Sequence, residues 1–243
     1  MKNDLPFISI ITIVYNGAKT IEFAIKSVIN QNYPNIEYII IDGGSNDGTI
    51  EIIKKYETRI TKWISEKDKG IYDAINKGIR YSQGDIIGIV NSDDFLEENT
   101  LCTIARISQE NEEIGIYHGL LTYWDNGKKI MINGTYSDYL PIKMIEHPTC
   151  FVRKEVYDNI GLFNCRYKAA ADYDFMLRAK EKGIKFMLIP VVLSNFSSGG
   201  ITSSFTSIRE TLKIMKNYKL IKTSYFYFKL IFFRFKYLLG INV

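Results

Sequence analysis

Three acidic groups and a histidine in this sequence have side chains suited to chemistry. Asp42 lies in "IIIDGGSNDGT", Asn91-Ser92-Asp93-Asp94 in "IVNSDDF", Asp172 and Asp174 in "AADYDF", and His147 in "IEHPTCF". Adjacent carboxylates repel each other and any nearby phosphate, so Asp93 and Asp94 form a useful site only with a cation. Mg²⁺ and Mn²⁺ are held by one or two carboxylates, with phosphate oxygens and water completing the shell. One more carboxylate at a strand end can accept hydrogen bonds from a base or ribose, the role expected of Asp42. A carboxylate within reach of a hydroxyl can serve as general base, the role expected of Asp172. His147 is a candidate metal or substrate contact, although a lone histidine beside a proline is more often structural. Each acid also has a structural reading. Ser92, Asp93 or Asp94 would cap a helix over "EENTLCTIAR", and Ser45, Asn46 or Asp47 one starting at Gly48, while Asp172 and Asp174 suit a first helical turn.

The elements that must position these residues alternate. "FISIITIV" (7–14), "NIEYIIID" (35–42), "ITKWIS" (60–65) and "DIIGIV" (85–90) read as strands. Helical spacing over 18–31 puts Ile21, Ala24, Ile25 and Val28 on one face, and helices are expected over 47–56 and 70–84, the latter closed by Gly84. Strands alternating with helices predict an α/β fold, a mostly parallel sheet flanked by helices, with ligands at the carboxyl ends of the strands. Asp42 and Asn91 to Asp94 fall at such ends. Further along, the sequence predicts a helix over 101–108, strands over 115–132 turning at Asn126-Gly127, and helices over 153–161 and 170–183 stopped by Gly161 and Gly183. A late strand over 185–196 is interrupted by Pro190, and a flexible loop is expected over 197–204.

Composition narrows the function class. A chain of 243 residues, 46% hydrophobic, can bury a sizeable core, most simply one α/β domain with an appendage. The net charge of +4 is modest and comes without a Lys/Arg block, which argues against a nucleic-acid partner. Three cysteines without a C-x-x-C pair, and two histidines, suggest neither a disulfide framework nor a structural zinc, so a reduced, cytoplasmic setting is expected. Asp4 and Pro6 precede the first apolar run without a small-residue cleavage site, so no signal peptide is expected. The first strand is followed by "YNGAKT", not by a G-x-G-x-x-G or Walker pattern, which disfavours dinucleotide and P-loop readings. In "LIKTSYFYFKLIFFRFKYLLG" (220–240), Lys222, Lys229 and Lys236 recur every seven residues, and Ile221, Tyr225, Phe228, Phe232, Phe235 and Leu239 are read as the opposite arc. The charges break any transmembrane span. An amphipathic helix is expected over 219–240, lying against an anionic membrane interface or packed on the domain or against another subunit.

"ISIITIVYNGAKTIEFAIKSVINQNYPNIEYIIIDGGSNDGT", "EKDKGIYDAINKGIRYSQGDIIGIVNSDD" and "AADYD", in that order, closely resemble glycosyltransferase family 2 over about residues 7–200. The match is to small bacterial enzymes that build O-antigen and other exopolysaccharides. The resemblance implies a GT-A fold, Rossmann-like, over residues 1–204, with a nucleotide-binding half (about 1–100) and an acceptor half (about 101–204). A C-terminal amphipathic helical segment (205–243) lies outside the catalytic pattern. It also implies inverting transfer from a nucleotide-sugar donor, taken here as a UDP-sugar, to a glycan or polyprenyl-linked acceptor. Mn²⁺ or Mg²⁺ is the implied cofactor, and the inner face of the cell membrane the implied location.

The same resemblance assigns residues. Ile13 and Tyr15 look like the lining of the nucleobase site and Asp42 like the acid that binds the base. Asp68, Lys69 and Gly70 fall near the phosphates. Asn91-Ser92-Asp93 occupies the D-x-D position, Asn91 and Ser92 toward the donor and Asp93 as metal ligand, with Asp94 and His147 as further candidate ligands. Asp172 is similar to the general base. Asn91 departs from the pattern, since it hydrogen-bonds but brings no charge to a cation. A competing reading takes Asn91 as a mark of decayed catalysis in a non-catalytic nucleotide-sugar-binding module; retention of Asp93 and Asp172 speaks against it.

Overall fold

Strands alternate with helices through the first half of the chain, and the central ones are buried on both faces. In the computed structural model, which describes residues 5–197 and 205–238 (235–238 as backbone only), β1 (Ile8–Val14), β2 (Ile36–Asp42), β3 (Lys62–Ser65) and β4 (Ile86–Asn91) pair in parallel in the order β3-β2-β1-β4. Ile11, Ile13, Ile39, Ile41 and Ile89 pack into one core layer, and Ile8, Ile10, Ile40 and Val90 into the other. Burial on both sides explains why β1, β2 and β4 read as continuous apolar runs, whereas Lys62 and Ser65 of the edge strand β3 are exposed. The connecting helices are α1 (Ile21–Ile29), α2 (Thr49–Lys55) and α3 (Ile71–Tyr81), and α1 buries the four residues its spacing predicts. α3 stops before Gly84, where Ser82 turns extended (φ −66°, ψ 137°) and its Oγ donates to the Gly78 carbonyl.

The expected cap on α2 is present in part, since Asp47 Oδ1 accepts from the amide of Thr49 at its start, and the expected cap by Ser92, Asp93 or Asp94 is corrected. α2 follows Gly48 in a left-handed conformation (φ 101°), while Asp47 accepts from the amides of Thr49 (3.1 Å) and Ala18 (3.0 Å), tying the loop after β2 to the loop after β1. Ser92, Asp93 and Asp94 cap no helix. A two-residue strand, β5 (Phe95–Leu96), follows them, and α4 (Thr100–Glu110) starts after a left-handed Asn99 without a side-chain cap.

In the second half, β6 (Ile116–Asp125) and β7 (Lys128–Asn133) form the expected hairpin, with Asn126 (φ 47°) and Gly127 (φ 73°) both left-handed as a two-residue turn requires. The sequence did not reveal β8 (Phe151–Arg153), three residues inserted antiparallel between β4 and β6 just before α5 (Lys154–Ile160). After α6 (Ala171–Glu181), β9 (Phe186–Ser197) runs parallel to β6 and passes through Pro190. Proline has no N–H for a ladder. The register shifts around that point, and the Gly119 amide turns to Thr149 Oγ1 (3.1 Å).

The strand order β3-β2-β1-β4-β8-β6-β9-β5, with β7 on β6, puts β5 at the far end of the path although only residues 92–94 separate it from β4. The sheet therefore curls, and the end of β9 comes to lie beside the β4–β5 loop.

Two helices close the described residues, α7 (Phe205–Asn217) and α8 (Thr223–Leu238). Ile214 of α7 is fully buried in the same core as Phe175 and Met176 of α6. α8 packs on α7, with Lys216 Nζ 4.9 Å above the Phe226 ring. The expected opposition of lysines and aromatics is corrected, because Lys229 Nζ lies over Tyr225 (5.4 Å) and Phe233 (5.6 Å). A seven-residue step falls only about 20° short of two turns, so residues 222, 225, 229 and 232 share a stripe. Tyr225, Tyr227, Phe228, Ile231 and Phe232 are exposed. Among the described residues, no helix is long and apolar enough to cross a membrane. The expected loop (197–204, beyond Ser197), Leu239 and the side chains of Phe235 and Lys236 lie outside the described residues.

Candidate active site

Register brings the ends of the parallel strands level: Val14 pairs with Asp42, Asp42 with Ser65, and Ile13 with Asn91. Beyond them opens a cavity of about 830 Å³, within the size range of ligand clefts. Of the sequence-predicted residues, Ile13, Tyr15, Asp68, Gly70, Asn91, Ser92, Asp93, His147 and Asp172 line it. Asp42, Lys69 and Asp94 are not part of this lining.

Asp42 is the clearest departure from expectation. It is fully buried, and its carboxylate accepts from the amides of Gly44 (3.1 Å) and Ser45 (3.0 Å), from Ser65 Oγ (2.6 Å) and from Ser45 Oγ. A carboxylate engaged by four donors of its own and a neighbouring loop shapes those loops and has no surface for a base. Asp68 covers the adjacent position. A Cβ at Gly43 would lie 2.5 Å from Asp68 Oδ2 and 3.4 Å from Tyr15 Cβ, so glycine there lets Asp68 and Tyr15 close together. Gly70 donates to Asp68 Oδ1 (2.8 Å) from a conformation that favours glycine (φ 119°), immediately before α3. Lys69 is exposed, its amide on Asp73 Oδ2 (3.0 Å).

Within "NSDD" the two acids divide. Asp94 is buried and accepts from Asn91 Nδ2 (2.8 Å) and the Ser197 amide (3.4 Å). Burial, then the charge of Asp93, pushes its carboxyl up to about 8. Asp93 lines the cavity, and burial raises its pKa also. Asn91 thus secures the acid behind Asp93. Two desolvated acids in sequence, one reaching the cavity, fit a hard cation shared with a bound phosphate. Among the described residues, no group of three or more His, Cys, Asp and Glu forms a closed metal cage.

His147 belongs to another wall. Its ring meets Phe163 edge-on (5.6 Å, 85°), and burial lowers its pKa against the opposing pull of Asp172. Asp172 Oδ1 accepts from Tyr72 Oη (3.1 Å) and from the Tyr173 amide (2.9 Å), so both bonds fall on one oxygen. Burial and the charge of Asp172 raise the Tyr72 phenol, which keeps its proton and donates. Asp174 instead pairs with Arg178 (3.0 Å), whose guanidinium also donates to the Ile160 (2.5 Å) and Leu162 (2.7 Å) carbonyls and fixes α6 against the end of α5.

Sequence reasoning missed Tyr72, Asn133, Lys143, Glu146 and Lys168, all in the cavity wall. Glu146 Oε1 accepts from Asn133 Nδ2 (2.8 Å) and Thr135 Oγ1 (3.1 Å), while its buried Oε2 has no hydrogen-bond partner among the described residues. Tyr72 was visible as a helical residue, but nothing local announced a partner on α6.

A curled, mostly parallel sheet with helices on its faces and its cavity at the strand ends defines a GT-A glycosyltransferase fold, and solved structures share it. S. aureus TarS 1–349 matches with a TM-score of 0.70 at 18% identity, over 86% of this chain and 64% of that chain. This chain thus spans just under two thirds of TarS 1–349. The mannosyltransferase PcManGT from Pyrobaculum calidifontis, solved with GDP-Man and Mn²⁺, matches with a TM-score of 0.68 at 16% identity, over 91% of this chain and 66% of that chain. TarS 1–349 has also been solved with UDP and with UDP-GlcNAc.

Sequence relatives carry the identification further. A PGL/p-HBAD biosynthesis glycosyltransferase of Mycobacterium bovis is 27% identical over 215 residues, 86% of this chain and 83% of the relative. An uncharacterised glycosyltransferase of Haemophilus influenzae is 31% identical over 183 residues, 72% of each chain. The family model for glycosyl transferase family 2 matches residues 9–170, and the chain belongs to that family.

Proposed function

We propose that this protein is a metal-dependent, inverting glycosyltransferase that moves a sugar from a UDP-sugar to a hydroxyl of a glycan or polyprenyl-linked acceptor in bacterial surface-polysaccharide synthesis, O-antigen included. The observation that carries this reading is that Asp93 and Asp172 line one cavity together with Ile13, Tyr15 and Asp68. The nucleotide-binding half is residues 1–100 and the acceptor half 101–204, with 205–243 as the attachment segment. Ile13 and Tyr15 take the base, and Asp68, in place of Asp42, offers the carboxylate to base or ribose. Asp93 is the protein ligand for Mn²⁺ or Mg²⁺, with Asn91 and Ser92 beside the donor. When bound, such a cation supplies positive charge to a departing diphosphate.

Asp172 takes the proton of the acceptor hydroxyl as that oxygen bonds to the anomeric carbon. The bond from the anomeric carbon to the diphosphate breaks, its electron pair leaving with UDP, and one displacement inverts the anomeric configuration. Tyr72, donating to Oδ1, leaves Oδ2 for that proton. Glu146 and Asn133 belong to the wall that receives the acceptor. The exposed aromatic face of α8, with Lys229 among its rings, suits peripheral contact with the anionic inner face of the membrane.

Thermal unfolding with UDP, UDP-glucose, UDP-GlcNAc or GDP-mannose, each with and without Mn²⁺, tests the reading. UDP compounds with Mn²⁺ are expected to raise the Tm most. A Tm that no nucleotide moves contradicts it.

A further inference from the structure

The C-terminal helices do more than prolong the catalytic body, because one of them reaches the cavity wall. Glu210 of α7 is buried, and both of its carboxylate oxygens are engaged. The amide of Lys168 donates to Oε1 and Oε2 (both 2.9 Å), and that of Ala169 to Oε2 (2.8 Å). Lys168 and Ala169 line the cavity, Ala170 is the N-terminal cap position of α6, and Asp172 stands in the first turn of that helix. A charged carboxylate receiving backbone amides is among the stronger hydrogen-bond arrangements in proteins. It bridges 41 and 42 residues of sequence. Ile214, one turn further along α7, is fully buried in the core that holds α6, so the carboxylate is presented from an anchored helix.

We infer that Glu210 is a positioning residue for transfer: from α7 it fixes the Lys168–Ala169 backbone, and through it the placement of Asp172 against the acceptor. The residues proposed to take the nucleotide, Ile13, Tyr15 and Asp68, line the same cavity but receive no hydrogen bond from Glu210, so UDP affinity is expected to be independent of this brace. The inference rests on the transferase reading of Asp172 given above. Glutamine at 210 keeps the shape but turns an NH₂ toward a backbone N–H, and aspartate withdraws the carboxylate by one methylene.

The test compares wild type, Glu210→Gln and Glu210→Asp as full-length chains with Mn²⁺ and UDP-glucose, UDP-galactose or UDP-GlcNAc. Released UDP reports turnover to water or a simple alcohol, titration with UDP reports affinity, and hydrogen exchange reports the amides of residues 168 and 169. In Glu210→Gln those amides are expected to exchange faster and kcat to fall about tenfold or more, with Kd for UDP changed less than about twofold. Faster exchange with an unchanged kcat overturns the inference, and so does a loss of kcat matched by an equal loss of UDP affinity. If the glutamine variant does not fold, the same comparison on Glu210→Asp decides. A wild type that turns over none of these sugars contradicts the transferase reading. An active wild type with an unimpaired Glu210→Gln contradicts this inference alone.

Discussion

Tyr72 and Asp172 stand 100 residues apart and meet in a 3.1 Å hydrogen bond from the phenol to Oδ1. One comes from the first turn of α3 and the other from the first turn of α6, so the bond ties these two helix starts together in the cavity wall at the proposed base. Because the Tyr173 amide shares the same oxygen, Asp172 is held by one edge, and the proposed base would use its other oxygen.

Tyr72→Phe removes that donor while keeping the ring stacked near Phe163. A hydrogen bond to a charged group is worth about 1.5–3 kcal/mol, so kcat is expected to fall roughly ten- to hundredfold. Steady-state kinetics should show KM for the donor nearly unchanged. A raised donor KM with normal kcat would assign Tyr72 to donor binding instead.

The acid pair predicts a pH-dependent response to metal. The carboxyls of Asp93 and Asp94 are both raised, Asp94 to about 8, so below that pH the folded protein holds protons at Asp94 that a free aspartate has lost. An acid with a raised folded pKa costs stability progressively as pH climbs from its ordinary value near 3.8 toward about 8. A cation displaces those protons, so Mn²⁺ in the presence of UDP should raise the Tm more at pH 8 than at pH 6. Asp93→Asn should abolish the Mn²⁺ effect. Asp94→Asn, which resembles the protonated acid, should reduce it less; equal losses would contradict the division of roles.

Much of this arrangement is legible in the order of residues alone. Continuous apolar runs mark the parallel strands, and their ends locate Tyr15 and "NSDD", because a buried parallel sheet leaves only its strand ends for ligands. Asp42 misleads because a carboxylate at a strand end looks the same in sequence whether it faces a ligand or ties its own loop. The donors that consume it include Ser65, from another strand. β8 is too short to show periodicity. Tyr72, Glu146 and Glu210 act through partners 100, 11 to 13 and 41 to 42 residues away. Helical spacing gives no sign of such contacts.

His118 supplies a test of stability that does not involve the active site. It is fully buried on β6, and neither ring nitrogen has a hydrogen-bond partner among the described residues. Burial lowers its pKa from 6.5 to about 4. Between those values the unfolded chain binds a proton that the folded one refuses, so stability falls as pH drops from about 6.5 to about 4 and is unaffected above. The full penalty is on the order of 3 kcal/mol. Denaturant titrations should show His118→Leu less acid-sensitive than wild type across that window. Parallel curves would show that the histidine does not titrate there.

The exposed face of α8 predicts binding to anionic bilayers. Phe228→Ser with Ile231→Ser removes two of its most exposed apolar side chains (64% and 70%). Co-sedimentation with phosphatidylglycerol vesicles should drop several-fold and UDP binding should not change. Retained sedimentation would show that lipid contact lies on another surface, and wild type failing to bind such vesicles would contradict the prediction.

The most direct test of the central assignment is turnover of a UDP-sugar by Asp172→Asn with UDP affinity measured in the same preparation. Asparagine keeps an acceptor for Tyr72 and the Tyr173 amide but cannot take a proton. The account predicts Mn²⁺-dependent UDP binding within about twofold of wild type and a kcat lower by about a hundredfold or more. Turnover close to wild type would contradict it.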